Sequence, residues 1–120
     1  MFQMFYNPLT NKNVSVIPVL MRDGIAGYSK DGTKIYVDVT VPVWMMTPLI
    51  AHEVLEMVLI QILGFTYAVA HKLATILERE VCISMNIPWE KYDETYRQLL
   101  GEIGKRDPKP PVPSDMDVHV

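Results

Sequence analysis

The chain of 120 residues has little of several features that would point to a function. It holds one cysteine, Cys82, so no disulfide can form within the chain and a reducing compartment is expected. Its net charge is only -3, and lysine and arginine do not cluster, which argues against a nucleic-acid or anionic-membrane surface. These shortages favour a cytoplasmic protein that binds neither nucleic acid nor membrane.

Long uninterrupted apolar runs are also missing. The first residues, MFQMFYNPLTNK, lack a basic leader and a small-residue cleavage site, which predicts no signal peptide. The most apolar stretch, residues 49–63, contains a histidine, two glutamates and a glutamine. It is also shorter than the roughly 20 apolar residues that a membrane span needs. This stretch is therefore predicted to be a core helix of a folded domain.

What is present indicates one α+β domain followed by a short tail. Apolar residues make up 49% of the chain and charged residues 21%, which is typical of globular proteins. Residues 1–106 are predicted to form a single α+β domain with a metal-binding site. Residues 107–120 are rich in proline and carry no capping signals, so they are predicted to be a flexible, extended tail.

The first third of the chain predicts strands. Two β-rich runs flank Asp31-Gly32, a dipeptide that suits a tight hairpin turn. In the second run, residues 35–41 alternate between aliphatic and mostly polar side chains, which predicts a strand with one face on the core. Residues 13–22 indicate another strand, which Pro18 would confine to an edge or a bulge.

Three helices are predicted to follow. The first begins at Thr47-Pro48 and runs to about Leu63, with Gly64 in the left-handed position that ends it. The second, from about residue 66 to residue 85, follows so closely that the two form a helical hairpin. The third begins near Pro88 and carries one apolar stripe. The expected fold is a small N-terminal antiparallel sheet packed on a helical hairpin plus a third amphipathic helix.

The first helix carries an unusual set of titratable residues in its apolar sequence. His52, Glu53 and Glu56 point into one sector, because successive residues advance by about 100° and Glu56 lies about 40° from His52. Buried carboxylates cost several kcal/mol unless something compensates their charge. A divalent metal does so, since an i, i+4 pair of histidine and glutamate can reach one ion. The pattern therefore favours a zinc site with His52 and Glu56 as ligands.

His71 is the expected third ligand of this site. Counted from the turn at Gly64, Glu56 lies about 12 Å down the first helix and His71 about 10 Å down the second. These depths coincide in an antiparallel hairpin. Glu78 lies about 10 Å further along the axis, too far for the same ion.

Two residues of the same region are candidates for catalysis. Glu53 is offset from the ligand pair, where a general base could take a proton from a water molecule that the metal polarises. Tyr67 lies one turn before His71 and could stabilise an oxyanion, with packing in the core as the alternative.

The opposing interpretation is a polar seam without metal. In that case His52, Glu53 and Glu56 would face solvent or a partner, with Lys72 or Arg79 as counter-charges. Other polar or reactive residues are expected to serve structure: Asp38 as a cap or turn, Cys82 in the core, and His119 without a role in the tail.

The run HEVLE at residues 52–56 resembles the HExxH signature of zinc metallopeptidases, in which two histidines hold zinc and the glutamate between them acts as base. Here Glu56 replaces the second histidine, and His71 stands where many such enzymes use glutamate. The chain is also similar to small uncharacterised bacterial and phage-encoded proteins with an HExxE motif. The residues that carry this second resemblance are Tyr36, Asp38, Pro42, His52, Glu53, Glu56, Tyr67, His71, Trp89 and Tyr92.

Two hypotheses follow from these patterns. The first is a zinc-dependent hydrolase that acts on a peptide or amide bond, with a peptide as substrate. The second is a metal-stabilised or metal-free interaction protein, for example a phage-encoded accessory protein that binds a protein partner. An oligomer is compatible with both, because so small a chain has little room for a pocket of its own. A di-iron carboxylate site is a third and weaker option, because the paired Glu-x-x-His motifs of such sites do not occur.

Overall fold

The computed structural model describes residues 3–119, in which four strands precede three helices. The α+β class, with an N-terminal sheet and three helices, is confirmed. The strands are Gln3–Asn7 (β1), Lys12–Val19 (β2), Ala26–Tyr28 (β3) and Lys34–Asp38 (β4). The helices are Val43–Gln61 (α1), Tyr67–Ser84 (α2) and Trp89–Gly104 (α3).

The sheet is mixed, with the strand order β1-β2-β4-β3. The pair β3–β4 is antiparallel, as expected. The strand β1, which was not predicted, also pairs antiparallel with β2, but β2 and β4 run parallel, so the sheet is not purely antiparallel. The parallel pair arises because the chain leaves β2, turns back to form β3, and reverses again before it enters β4. This topology leaves β3 at the edge of the sheet beside α1.

Two strand predictions need correction. In β4, residues 35–38 are all buried, so both faces are covered and the alternation does not mark a solvent-facing side. The strand β2 is an inner strand and not an edge, although it contains Pro18. Pro18 lies beyond the described stretch of β1, whose pairing starts with Gln3 opposite Val16. Its missing N–H therefore breaks no described pair with β1.

The turn between β3 and β4 is confirmed as a hairpin connection around Asp31-Gly32. Gly32 has a φ of 75°, which a residue with a side chain rarely adopts. The Asp31 carboxylate accepts hydrogen bonds from the Ser29 hydroxyl at 2.7 Å and from the Thr33 N–H at 3.0 Å. These local bonds fix the reversal that sets β3 against β4.

The helix α1 begins four residues before the predicted start. Pro42, in an extended conformation, precedes it, and the Thr47 side chain does not cap it. Pro48 lies inside the helix and cannot donate the bond to the carbonyl four residues earlier, which normally disfavours such a position. The fully buried Met45 anchors this first turn in the core. Core packing therefore extends the helix toward its N-terminus, upstream of the start that Thr47-Pro48 predicted.

The predicted end of α1 and the hairpin that follows are confirmed. Gly64 has a φ of 73°, and the N–H of Phe65 donates to the carbonyl of Leu59 at 2.9 Å across it. The Thr66 side chain then accepts from the N–H of Val69 and caps α2. This short connection folds α2 back along α1.

The helix α1 is long and apolar enough to cross a membrane by length and composition alone. Half of its most apolar window is buried inside the fold, and a core helix meets the same criterion. Only Val43 and Thr47 of this helix are exposed. The compact fold is consistent with a soluble protein.

Candidate metal centre

The structure brings His52, Glu56 and His71 together at the interface of α1 and α2. Oε2 of Glu56 lies 3.0 Å from Nε2 of His52 and 3.1 Å from Nδ1 of His71. One donor atom of each residue falls within 4.8 Å of the other two. The equal depths expected for Glu56 and His71 are thus realised by the hairpin, with His52 one turn away on the same side of α1.

A second carboxylate orients the imidazole of His52 from behind. Nδ1 of His52 lies 2.8 Å from Oε1 of Glu78. Because a carboxylate only accepts hydrogen bonds, Nδ1 donates a proton to Glu78, and this contact turns Nε2 toward Glu56. The Tyr92 hydroxyl donates to the other oxygen of Glu78, so this carboxylate is itself held in place. Glu78 lies outside the group of three, as expected from its position on α2.

The strand β3 contributes a residue that the sequence analysis did not single out. The hydroxyl of Tyr28, a side chain only 1% exposed, donates to Oε1 of Glu56 at 2.9 Å. This bond leaves Oε2 of Glu56 to the two imidazoles. Tyr28 belongs to a hairpin 28 residues before Glu56, and no periodic signal in the sequence links the two positions.

Three carboxylates are buried around the two histidines without a lysine or arginine partner. Glu53, Glu56 and Glu78 are only 4–7% exposed. Their ion pairs within residues 3–119 are all with histidine. Neither Lys72 nor Arg79 supplies the counter-charge that the polar-seam interpretation requires, and the Arg79 guanidinium instead lies 5.7 Å from the centre of the Trp89 ring.

The protonation of the cluster reflects this shortage of cations. Burial lowers the pKa of His52, but its contacts with Glu56 and Glu78 outweigh this effect and raise the pKa to about 10. Burial raises the pKa of Glu53 to about 8. Burial acts to raise the pKa of Glu56, but hydrogen bonds from His52, Tyr28 and His71 outweigh burial and hold the pKa below its usual value. Protons therefore supply the positive charge in the metal-free protein.

The spacing of Glu56 from each histidine suits a divalent cation that the three residues would share. Ligand bonds of about 2.0–2.1 Å at tetrahedral angles place ligand atoms about 3.3 Å apart, close to the contacts of Glu56 with both histidines. Two imidazole nitrogens and one carboxylate oxygen form the kind of three-ligand set that leaves a coordination position open. A cation would take the place of the two imidazole protons that now face Oε2 of Glu56.

Glu53 occupies the position expected of a base beside the group of three. Its Oε2 lies 3.7 Å from Nε2 of His52, too far for a hydrogen bond. The side chain makes no hydrogen bond in the described part of the chain, and it lines a cavity of about 190 Å³ together with His52, Glu56 and His71. Once its carboxyl group is ionised, Glu53 therefore has an oxygen that is free to accept a proton from a small molecule in this cavity.

Tyr67 lies at the cavity but not in the core. It is 44% exposed, its ring stacks on His71 with 5.3 Å between centroids, and its hydroxyl is 3.4 Å from Nδ1 of His71. The packing alternative is therefore wrong, whereas a role toward an oxyanion stays a prediction. Tyr96 of α3 lines the same cavity from the opposite side and makes no hydrogen bond among residues 3–119.

The tail reaches the site as well, which the sequence analysis did not foresee. Nε2 of His119 lies 2.7 Å from the Tyr28 hydroxyl, and its ring stacks on Tyr67 with 4.6 Å between centroids. His119 had been expected to have no role. Its contact with Tyr28 spans 91 residues of sequence, and only the fold reveals it.

Asp38 and Cys82, two further residues considered above, have structural roles. Asp38 accepts from backbone N–H groups and from Arg106, away from the cluster. Cys82 is fully buried in the core.

Comparisons of the chain with models of protein families, with curated proteins and with solved structures gave no match.

Proposed function

We propose that this protein is a zinc-dependent hydrolase that acts on a peptide or amide bond. His52, Glu56 and His71 would hold the ion, and Glu53 would act as general base. A cytoplasmic location is part of the proposal, because the one cysteine is reduced and buried and the net charge offers no surface for an anionic membrane.

The observation that carries the proposal is the burial of Glu53, Glu56 and Glu78 around two imidazoles without lysine or arginine among residues 3–119. A buried carboxylate left without compensation costs several kcal/mol. Protons on His52 and Glu53 offset part of this cost in the absence of a metal, and a divalent cation would take their place. The resemblance of HEVLE to the zinc signature HExxH supports the choice of zinc and of a hydrolytic reaction.

The side chains divide the work as follows. Glu78 fixes the tautomer of His52, and Tyr28 fixes the orientation of Glu56, so the donor atoms are held before any ligand arrives. A bound zinc ion would supply Lewis acidity toward a carbonyl oxygen and would lower the pKa of water to about 7. Glu53 would accept a proton from the attacking water and pass it to the leaving amine. The hydroxyl of Tyr67 would donate to the oxygen that gains charge.

The test is metal analysis of the purified full chain. We expect about one zinc per chain in the native protein, as for a three-ligand site with an open position, and almost none in His71→Ala. His119→Ala is the matched control, since it removes the other histidine that lines the cavity outside the group of three and should retain zinc. Little metal in the native protein, or equal metal in His71→Ala, would contradict the proposal.

A second candidate is an interaction protein that metal stabilises but that performs no reaction. The observation that favours it is the tail, because Met116, Asp117 and His119 line the cavity beside Glu53. A protein of this kind binds zinc and unfolds more easily without it, yet shows no hydrolysis. Incubation of the zinc-loaded chain with a mixed peptide library, followed by mass spectrometry, separates the two: new peptide termini that need Glu53 support the hydrolase.

A further inference from the structure

The C-terminal segment 115–119 pairs with the free edge of β3. The N–H of Asp117 donates to the carbonyl of Tyr28 at 2.8 Å, and the N–H of Lys30 donates to the carbonyl of Asp115 at the same distance. Ser29 and Met116 form an antiparallel bridge between these bonds. The segment therefore extends the sheet past β3 by a short antiparallel strand.

Side-chain contacts with β4, α1 and β3 also hold this segment in place. Asp115 binds Lys34 with 2.5 Å between Nζ and Oδ2, and Asp117 accepts from the Gln61 amide at 3.1 Å. Met116 is 9% exposed and lies over Gly27, where an added Cβ would come within 3.1 Å of its sulfur. Because Gly27 has no side chain, β3 leaves room at this position for the side chain of Met116.

The pairing also determines what can reach the candidate metal centre. The cavity beside Glu53 holds about 190 Å³, which is less than the roughly 300 Å³ at which ligand pockets begin. His119 forms part of the cavity wall, where it contacts the Tyr28 hydroxyl and stacks on the Tyr67 ring. Residues Met116, Asp117 and His119 line this cavity, so the docked segment narrows the approach to Glu53 from the side of β3.

We propose that the edge of β3 is a strand-addition site for an extended polypeptide, and that the chain's own residues 115–119 occupy it. The ligand is an extended backbone that forms the bonds now made by Asp115 and Asp117 with β3. Its side chain at the position of His119 is a flat ring that stacks on Tyr67. The tail competes with this ligand and narrows the cavity while it is docked. The inference requires neither a metal nor a reaction.

The first test is hydrogen exchange on the native full chain, measured by NMR. The N–H of Asp117 is bonded to β3, whereas the N–H of Val118 makes no hydrogen bond among residues 3–119. We expect the Asp117 amide to exchange about tenfold more slowly than that of Val118, after correction for sequence. Equal exchange at both amides would overturn the docked tail without any variant.

The second test measures binding of a synthetic peptide with the sequence PSDMDVH, residues 113–119. Asp117→Pro removes the N–H that bonds Tyr28, whereas Val118→Pro, the matched control, removes an unbonded N–H. A tethered segment acts at an effective concentration on the order of mM, so the native chain should bind the labelled peptide weakly. We expect Asp117→Pro to bind it about tenfold more tightly than both the native chain and Val118→Pro.

Two further measurements serve as controls, one for folding of the variants and one for recognition of the histidine ring. Circular dichroism establishes that each variant is folded. A peptide with alanine in place of histidine should bind more weakly, since it lacks the ring that stacks on Tyr67. Equal peptide binding by Asp117→Pro and Val118→Pro, or no binding by either, would refute the proposal, whatever the zinc content of the protein.

Discussion

Glu78 accepts a hydrogen bond from Nδ1 of His52 at 2.8 Å, although the two residues lie 26 positions apart on different helices. Both side chains are buried. This contact decides which nitrogen of His52 faces Glu56, and it prevents the ring from turning. The local arrangement of a carboxylate behind a histidine is the one that metal sites use to orient a ligand.

Glu78→Gln should weaken zinc binding about 10- to 100-fold, because the amide no longer stabilises a firmly held, electron-rich imidazole at His52. Titration of the apo protein against a zinc-chelating dye measures the affinity. Glu80→Gln removes a charge from an exposed position two residues later on α2 and is the matched control. Equal affinity in the two variants would show that Glu78 does not support a metal ligand.

Glu53→Gln should retain zinc but lose hydrolysis by a factor of about 10² to 10⁴, which is the usual contribution of a general base. The amide keeps the shape of the side chain in the cavity and cannot accept the proton. Metal analysis and cleavage of a peptide from the library, measured on the same preparation, give both quantities. A variant that keeps full activity would assign the base to another residue, and one that loses its zinc would make Glu53 a ligand.

Gly64 and Gly101 should respond in opposite ways to the same added methyl group. Nothing lies within 4 Å of a Cβ built at either position, but Gly64 has a φ of 73° and Gly101 lies within α3. Gly64→Ala should lower the free energy of unfolding by about 1 kcal/mol because the left-handed conformation disfavours a side chain. Gly101→Ala should raise it by about 0.5–1 kcal/mol through helix propensity. Chemical denaturation measures both. A loss at both positions would mean that the added carbon, and not the backbone conformation, decides the effect.

Local chemistry explains why the helical hairpin could be predicted. Gly64 and Thr66 act through bonds to residues no more than six positions away, and such signals are visible in the sequence. The depth of His71 relative to Glu56 then follows from helix geometry alone. At this turn the roles of the residues depended on nearby neighbours, and their expected positions agreed with the structure.

Tertiary contacts explain what could not be predicted. The start of α1 at Val43 depends on burial of Met45, which overrides the proline at position 48. The parallel pairing of β2 with β4 is a contact between strands that another strand separates in sequence. Tyr28 and His119 join the cluster through the same sheet edge, and neither occupies a periodic position that would mark it.

The pair Asp38 and Arg106 should control stability in acid. The Asp38 side chain is fully buried, and its carboxylate accepts from both terminal nitrogens of Arg106 and from the N–H groups of Met21 and Thr40. Burial acts to raise the pKa of Asp38, but the bonds from Arg106, Thr40 and Met21 outweigh it and hold the pKa far below its usual range. The folded protein therefore favours the ionised carboxylate more than the unfolded chain does.

The sign of the pH dependence follows from this lowered pKa. The contribution of Asp38 is fully present above the unfolded pKa of about 3.9, and it is lost as the pH falls from there toward the folded value. Asp38→Asn should lower the free energy of unfolding by about 3 kcal/mol at neutral pH, since it leaves Arg106 without its buried partner. The difference from the native protein should narrow below about pH 4.

Urea denaturation at neutral pH and at two acidic values measures this difference. Asp23→Asn is the matched control, because the Asp23 side chain is 82% exposed and pairs only loosely with Arg22. It should change the free energy of unfolding by no more than about 0.5 kcal/mol, and its pH dependence should follow that of the native protein. If the native protein and Asp38→Asn lose stability in parallel as the pH falls, the ionised carboxylate of Asp38 does not hold the end of α3 to the sheet.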